Sequence, residues 1–387
     1  MTDIPDHYFS SPGVSKEFQF LLRLISNAKH ESSIDINIDK FIRMLRYHST
    51  LLVVSKCWGT HLDEKITAAM KGHLIQQTMF QLKMVKSFVE IVKTFNQQNL
   101  SVLPLKGPSL ADELLGDPVI RESQDIDLLV RPEDAESAIR LLESLGYTCE
   151  NDISEFSKPQ WNAFIKVVSD LVFWNKEYPF RIELHWKMFA IEELMPYSTN
   201  EIFQQSEKVA FKNCTYLRPS TEIYLVYLCL HGTKHQWYRL KWILDVHFWL
   251  KKYHQHIDGK KFLQLLVENG VEKSVSEGLF LSRKLFGSPL PTGWGEEMIE
   301  ELKLSKVLEK RVQELDTDAP AAPKFYFRTH KLMALKRGVR HKLTCLVHLK
   351  HYARDWQLVQ LPAYLFFMYP ILRPWFFMYR KIRKAKA

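Results

Sequence analysis

Asp125 and Asp127 stand one residue apart in the run Gln124-Asp125-Ile126-Asp127-Leu128-Leu129-Val130. Side chains alternate across a strand, so the two acids share one face while Ile126, Leu128 and Val130 line the other. Two neighbouring carboxylates on an otherwise apolar strand repel each other, and burying them uncompensated is costly. A divalent cation resolves the conflict, because hard oxygen ligands suit Mg²⁺. An exposed edge strand carrying two solvated acids is the alternative. A third acid, Glu183, sits in Phe180-Arg181-Ile182-Glu183-Leu184-His185-Trp186, where Arg181, Glu183 and His185 share a face opposite Ile182, Leu184 and Trp186. A single acid centred in a strand is what a third metal-bridging carboxylate looks like; a salt bridge to a neighbouring Arg or Lys explains it equally simply.

The surrounding pattern indicates which elements position these acids. Apolar clusters over 15–60 and an uninterrupted helical period over about 63–99 give an N-terminal helical region, 1–99. The texture then changes. SVLPL (101–105) is short and apolar, Lys106-Gly107-Pro108 breaks it, and SLADELLG reads as a short helix. DIDLLV (125–130) is a strand, and PEDAESAIRLLESLG is a helix with acids in its first turn and Gly146 at its end. VVSDLVFWN (167–175) and FRIELHW (180–186), joined by KEYP, read as a hairpin. Alternating strands and helices define an α+β (mixed α/β) core over 100–215, followed by a helical region, 216–315, in which one helical pattern runs from Ser220 to about Tyr253. DTDAPAAP (316–323) reads as a linker and 324–387 as a basic, aromatic tail.

The ordered set LPLKGPSLADELLGDPVIRESQDIDLLVRPEDAESAIRLLESLGY, RIELHW and HGTKHQWYRLKWILDV resembles the bacterial uncharacterised nucleotidyltransferase family of the DNA polymerase β-like superfamily, over roughly residues 15–310. The resemblance implies a small mixed sheet flanked by helices, with the acidic strand beside a phosphate-holding loop. It also implies an enzyme in which two Mg²⁺ ions, or Mn²⁺ in their place, lie about 3.5–4 Å apart and clamp an in-line displacement. Asp125, Asp127 and Glu183 would be the catalytic, metal-holding residues, with Glu183 as ligand or proton acceptor. An NTP would donate its NMP group to a hydroxyl of a small molecule, glycan precursor or protein, releasing pyrophosphate. Lys106 would supply a point charge and Gly107 close backbone approach to phosphate, with Arg121 and Ser123 sharing that work. A solvated loop lysine and an arginine that merely neutralises Asp125 or Asp127 are the plain alternatives.

His231 and His235 stand four apart and share a helical face. No HExxH pattern accompanies them and no third ligand is evident, which argues against zinc. Lys241 and Asp245, also four apart, make an ordinary helical salt bridge on spacing alone. The resemblance instead places this segment beside the site, so His185, His231, His235, Arg239, Lys241 and Asp245 are accessory candidates.

Composition bounds the remainder. With 387 residues, 46% hydrophobic and 25% charged, the chain has the make-up of a globular protein large enough for more than one domain. Five scattered cysteines without a CxxC pair argue against a disulfide scaffold and fit a reducing cytoplasm. The opening MTDIPDHYFSSPG lacks an apolar stretch, which argues against a secretory signal. The net charge of +9 is unevenly placed: residues 324–387 carry fifteen Lys/Arg against one acid, Asp355, and the body before them sums to −5. Such asymmetry points the tail at an anionic surface, lipid or nucleic acid. LPAYLFFMYPILRPWFFMY (361–379) is nearly long enough to span a membrane, but its prolines and Arg373 oppose that. Peripheral contact with the inner membrane face is the expectation, with a packed C-terminal segment or a partner- or RNA-binding tail as alternatives. Nucleic acid is disfavoured because the positive charge lies far from the acids in sequence. A non-catalytic membrane-associated adaptor and an RNA-directed transferase remain the competing functional readings.

Overall fold

The computed structural model describes residues 13–26, 36–151, 153–154, 156–294, 305–318, 332–349, 353–359 and 361–385. The first twelve residues, positions 319–323 of the expected linker and the start of the tail (324–331) lie outside the described residues.

The expected α+β architecture is present. Three helices, α1 (Lys16–Ser26), α2 (Ile38–His48) and α3 (Leu51–Trp58), precede the long α4 (Glu64–Gln97), which Asp63 caps by accepting from the Lys65 amide. Then come β1 (Leu103–Pro104), α5 (Pro108–Leu115), β2 (Asp125–Leu129), α6 (Ala135–Ser144), β3 (Thr148–Cys149), α7 (Lys158–Val167), β4 (Asp170–Trp174) and β5 (Arg181–His185). These strands form one mixed sheet in the order β1-β2-β5-β4-β3. The expected hairpin is β4 against β5, antiparallel; β5 in turn lies parallel to β2. A short helix, α8 (Thr199–Gln204), leads to a second, two-stranded sheet, β6 (Glu207–Phe211) and β7 (Cys214–Arg218), which the sequence reading did not separate from the core.

The single helical pattern expected over 220–253 is two helices, α9 (Thr221–Lys234) and α10 (Leu240–Tyr253). Gln236 and Trp237 between them adopt left-handed backbone angles, φ 60° and 55°, which an α-helix cannot contain. Trp237 is fully buried, and room for it comes from glycine: a Cβ on Gly232 would lie 2.1 Å from its ring, and one on Gly278 2.9 Å. The motif HGTKHQW is therefore a tryptophan-plugged corner. After α10 follow α11 (Gly259–Asn269), α12 (Glu272–Phe286), α13 (Ser305–Leu315), α14 (Val339–Leu349), α15 (Ala353–Leu358) and α16 (Tyr369–Ala385).

Strand alternation divides the core as the pattern requires. Ile126, Leu128 and Val130 of the β2 segment, with Ile182 and Leu184 of β5, are fully buried against the C-terminal half of α4, α6 and α7. The opposite face meets a second cluster built by α1–α3 together with α9, α10 and α12. Between that face and α9–α10 lies the cleft where the acids sit.

Candidate active site

Parallel pairing of β2 with β5 sets the geometry. Asp125 stands opposite Arg181, Asp127 opposite Glu183, and Leu129 opposite His185. On the far side of β5, Asp170 stands opposite His185. One sheet face thus gathers four acids, an arginine and a histidine from three strands. All of these but Asp170 line a cleft of about 350 Å³ with Lys106, Arg121, Ser123, Phe189, Tyr227, His231, Lys234, His235, Tyr238, Arg239, Lys241 and Trp242. A larger groove, about 650 Å³, lies beside α6 and α7 and contains none of these residues.

Asp127 is the buried centre, 2% exposed. Its Oδ2 lies 3.2 Å from Lys106 Nζ and its Oδ1 3.4 Å from His185 Nε2. Burial alone would raise its carboxyl, but the Lys106 charge and the adjacent imidazole overcome this and hold it well below the ordinary carboxylate range. Burial likewise opposes the charge on His185, yet Asp127, Glu183 and Asp170 around it push the imidazole up to about 10. His185 Nε2 is 3.7 Å from Glu183 Oε2, and Nδ1 is 4.0 Å from Asp170 Oδ1. Arg181 bridges the outer acids, Nε to Glu183 at 2.9 Å and Nη2 to Asp125 at 3.4 Å.

One ligand atom each from Asp127, Glu183 and His185 lie within 4.8 Å of one another, as metal ligands must. Asp127 Oδ2 is buried without a hydrogen bond, Lys106 being near but not aligned to donate. That oxygen keeps its ion pair with Lys106 but has unused hydrogen-bonding capacity in a buried place, and with the two other ligand atoms beside it the residues present fit a divalent cation. The cluster differs from the expected trio: His185, read as accessory, joins it, whereas Asp125 lines the same cleft but is paired with Arg181.

The basic residues distribute otherwise than spacing suggests. Arg121 does not neutralise Asp125 or Asp127. It makes a buried bidentate pair with Asp245, Nε–Oδ1 2.6 Å and Nη2–Oδ2 2.7 Å, and donates from Nη1 to Ser123 Oγ at 2.7 Å. Asp245 is thereby taken, and the expected Lys241–Asp245 helical salt bridge does not form. Lys241 Nζ donates instead to the Glu122 carbonyl at 3.4 Å. Burial, with Arg121 nearby, lowers the Lys241 ammonium to about 8. Lys106 is not a solvated loop residue: it is paired with Asp127 and 3.4 Å from His231 Nε2. Burial and then Lys106 push His231 well down, so it stays neutral and its Nε2 accepts a hydrogen bond from the Lys106 ammonium. Gly107 lies behind the site with φ 83°; a Cβ there would sit 3.7 Å from the Asp125 carbonyl, so conformation, not space, calls for glycine.

His231 and His235 do face the same cleft, their rings 4.6 Å apart and both against Trp242. Among the described residues they belong to no metal-ligand cluster. Sequence reading missed Asp170, Lys234, Tyr227, Tyr238 and Trp242. Alternation within VVSDLVFWN could have offered Asp170, but only strand register brings it beside His185. Lys234 has no acid within ion-pair distance among the described residues; its ammonium lies 5.7 Å from the Phe189 ring, and burial lowers its pKa.

Residues 35–287 match the model of the family described as uncharacterised nucleotidyltransferase, whereas a comparison with curated proteins finds no match. The matched span is more than half of the chain and contains every cleft residue named above; the chain belongs to the uncharacterised nucleotidyltransferase family.

Proposed function

We propose that this cleft transfers an NMP group from an NTP to an acceptor hydroxyl, releasing pyrophosphate, and that the fold is of the DNA polymerase β-like type. The observation that carries the reading is the convergence of Asp127, Glu183 and His185 opposite a surplus of cations. Six Lys and Arg line the cleft with three acids, Asp125, Asp127 and Glu183. Among the described residues Lys234, Arg239 and Lys241 make no ion pair with a carboxylate, and a triphosphate would supply the missing negative charge.

Asp127, Glu183 and His185 would hold Mg²⁺ or Mn²⁺, the carboxylates as hard oxygen ligands and His185 once the ion has displaced its proton. A divalent ion there supplies Lewis-acid stabilisation of phosphate oxygens. Lys106, Lys234 and Lys241 neutralise and orient the phosphates. Tyr238 and Trp242, whose rings meet edge to face at 4.7 Å, offer an aromatic wall to the base. Glu183 is the more accessible acid of the cluster, its side chain 19% exposed against 4% for Asp127. Glu183 would, as ligand or as proton acceptor, serve the incoming hydroxyl as the new P–O bond forms at the α-phosphate and the bond to pyrophosphate breaks.

The test is calorimetric titration of NTP with Mg²⁺ or Mn²⁺ into the protein and into Asp127→Asn/Glu183→Gln. Metal-dependent affinity should vanish in the variant. Undiminished affinity with an unchanged melting curve would place the site elsewhere.

A further inference from the structure

The C-terminal segment splits cleanly into two faces. Its inner face is fastened to the fold. Tyr369 stacks on Trp356 with centroids 5.0 Å apart and planes 3° from parallel, and Trp356 packs on Phe366 and Phe164. Tyr369 Oη donates to the Val359 carbonyl at 2.7 Å, and Gln160 Nε2 to that of Leu361 at 3.0 Å. Arg373, the one charge within the apolar run, turns inward towards Asp355, Nε to Oδ2 4.0 Å, and Asp355 is fully buried.

Its outer face is apolar and exposed. Tyr364, Phe367, Ile371, Trp375 and Met378 recur at steps of three and four residues, and they are 76, 66, 64, 69 and 53% exposed. An uninterrupted apolar stripe of this length is unusual on a protein surface that meets only water. Because Arg373 is used internally, no charge breaks it. Directly after it the sequence reads Arg380, Lys381, Ile382, Arg383, Lys384, Ala385, Lys386, five cations and no acid. Among the described residues no helix is long and apolar enough to cross a membrane, and Pro374 lies within α16.

We propose that residues 361–385 are an in-plane anchor that seats the protein on an anionic lipid surface. Trp and Tyr side chains favour the headgroup boundary, the aliphatic and Phe side chains enter just beneath it, and the basic end meets lipid phosphates. Charge complementarity selects the occupant: the tail carries +14 while the body carries −5, so the same surface attracts the molecule by its tail and repels its remainder. The inner-face ties to Trp356 and Gln160 make the anchor part of the fold, and it thus sets the protein's attitude on the bilayer.

Co-sedimentation of the full-length protein with phosphatidylcholine vesicles, with and without phosphatidylglycerol, tests this. Binding should require phosphatidylglycerol and weaken steeply with salt. Ile371→Glu/Trp375→Glu should lose at least about tenfold in vesicle affinity while keeping the wild-type melting curve and NTP affinity. On binding, tryptophan emission should shift to the blue, and Trp375→Phe should diminish that shift while still pelleting. Equal pelleting of the Glu double variant, or binding indifferent to phosphatidylglycerol, would overturn the proposal. So would an RNA gel shift without vesicle binding, or a concentration-dependent dimer that the double variant abolishes while vesicles go unbound.

Discussion

Asp127 and Glu183, fifty-six residues apart in sequence, are direct partners across two parallel strands, and both project into one cleft. A slip of one residue in that pairing would send one strand's acids to the apolar face. The burial of Ile126, Leu128, Ile182 and Leu184 behind them prevents the slip. The hydrophobic core thus enforces the convergence of the acids, although it contains none of them.

Lys234 and Lys241 carry the clearest signature of ligand binding without structural benefit. Each is half-buried and, among the described residues, has no carboxylate within ion-pair distance, and desolvation lowers both ammonium groups, Lys241 to about 8. Lys234→Ala and Lys241→Met should each raise the KM for NTP by about tenfold, the loss of one charge-assisted contact. At the same time each should raise the melting temperature slightly at pH 7, where a partly desolvated cation without a counter-charge disfavours the folded state. Differential scanning fluorimetry beside steady-state kinetics reads both.

Arg121 and Asp245 act as a strut between the segment entering β2 and α10. Both are about 5% exposed and joined by two short hydrogen bonds. Asp245→Ala leaves the guanidinium buried alone and should cost about 3–5 kcal/mol in urea unfolding. Arg121→Met/Asp245→Leu should recover most of that, since an apolar pair of similar size tolerates the site.

Glu122, next in sequence to Arg121, is 5% exposed and accepts the Leu52 amide at 2.9 Å. Burial raises its carboxyl to about 7, against the lowering by that amide and by Lys241. Its folded pKa therefore exceeds the unfolded one near 4.5. Its contribution is fully present below pH 4.5 and is lost as pH rises towards 7, about 3 kcal/mol in all. His48 works oppositely. Its Nδ1 accepts the Leu240 amide and burial holds it at about 3, so it penalises the fold as pH drops below 6.5. The difference between wild type and Glu122→Gln isolates the glutamate: the variant should be the more stable at pH 8 and should match wild type at pH 4.5 in chemical denaturation.

Gly232 faces Trp237 with no room for a methyl group. Gly232→Ala should destabilise by about 3 kcal/mol or more through overpacking. Because the same corner aims His231, His235, Tyr238 and Arg239 into the cleft, NTP affinity should fall even where the variant stays folded. Calorimetry and a thermal melt on the purified variant check both effects.

The sequence alone determined what local periodicity can encode. Alternation in DIDLLV and RIELHW separated acid faces from apolar faces, Lys106-Gly107 marked the strand-to-helix turn, and KEYP marked the hairpin between β4 and β5. Those features depend on neighbours within a few residues. Tertiary structure decided the rest, because pairing between distant strands leaves no mark on either strand by itself. Parallel register brought Glu183 to Asp127, and β4 then delivered Asp170 to His185. It drew His185 into the ligand cluster and left Asp125 with Arg181. The same holds for charge. Spacing offered Asp245 to Lys241 one turn away on the same helix, but the buried guanidinium of Arg121 claims it, since a desolvated cation needs its counter-charge more than a partly exposed lysine does.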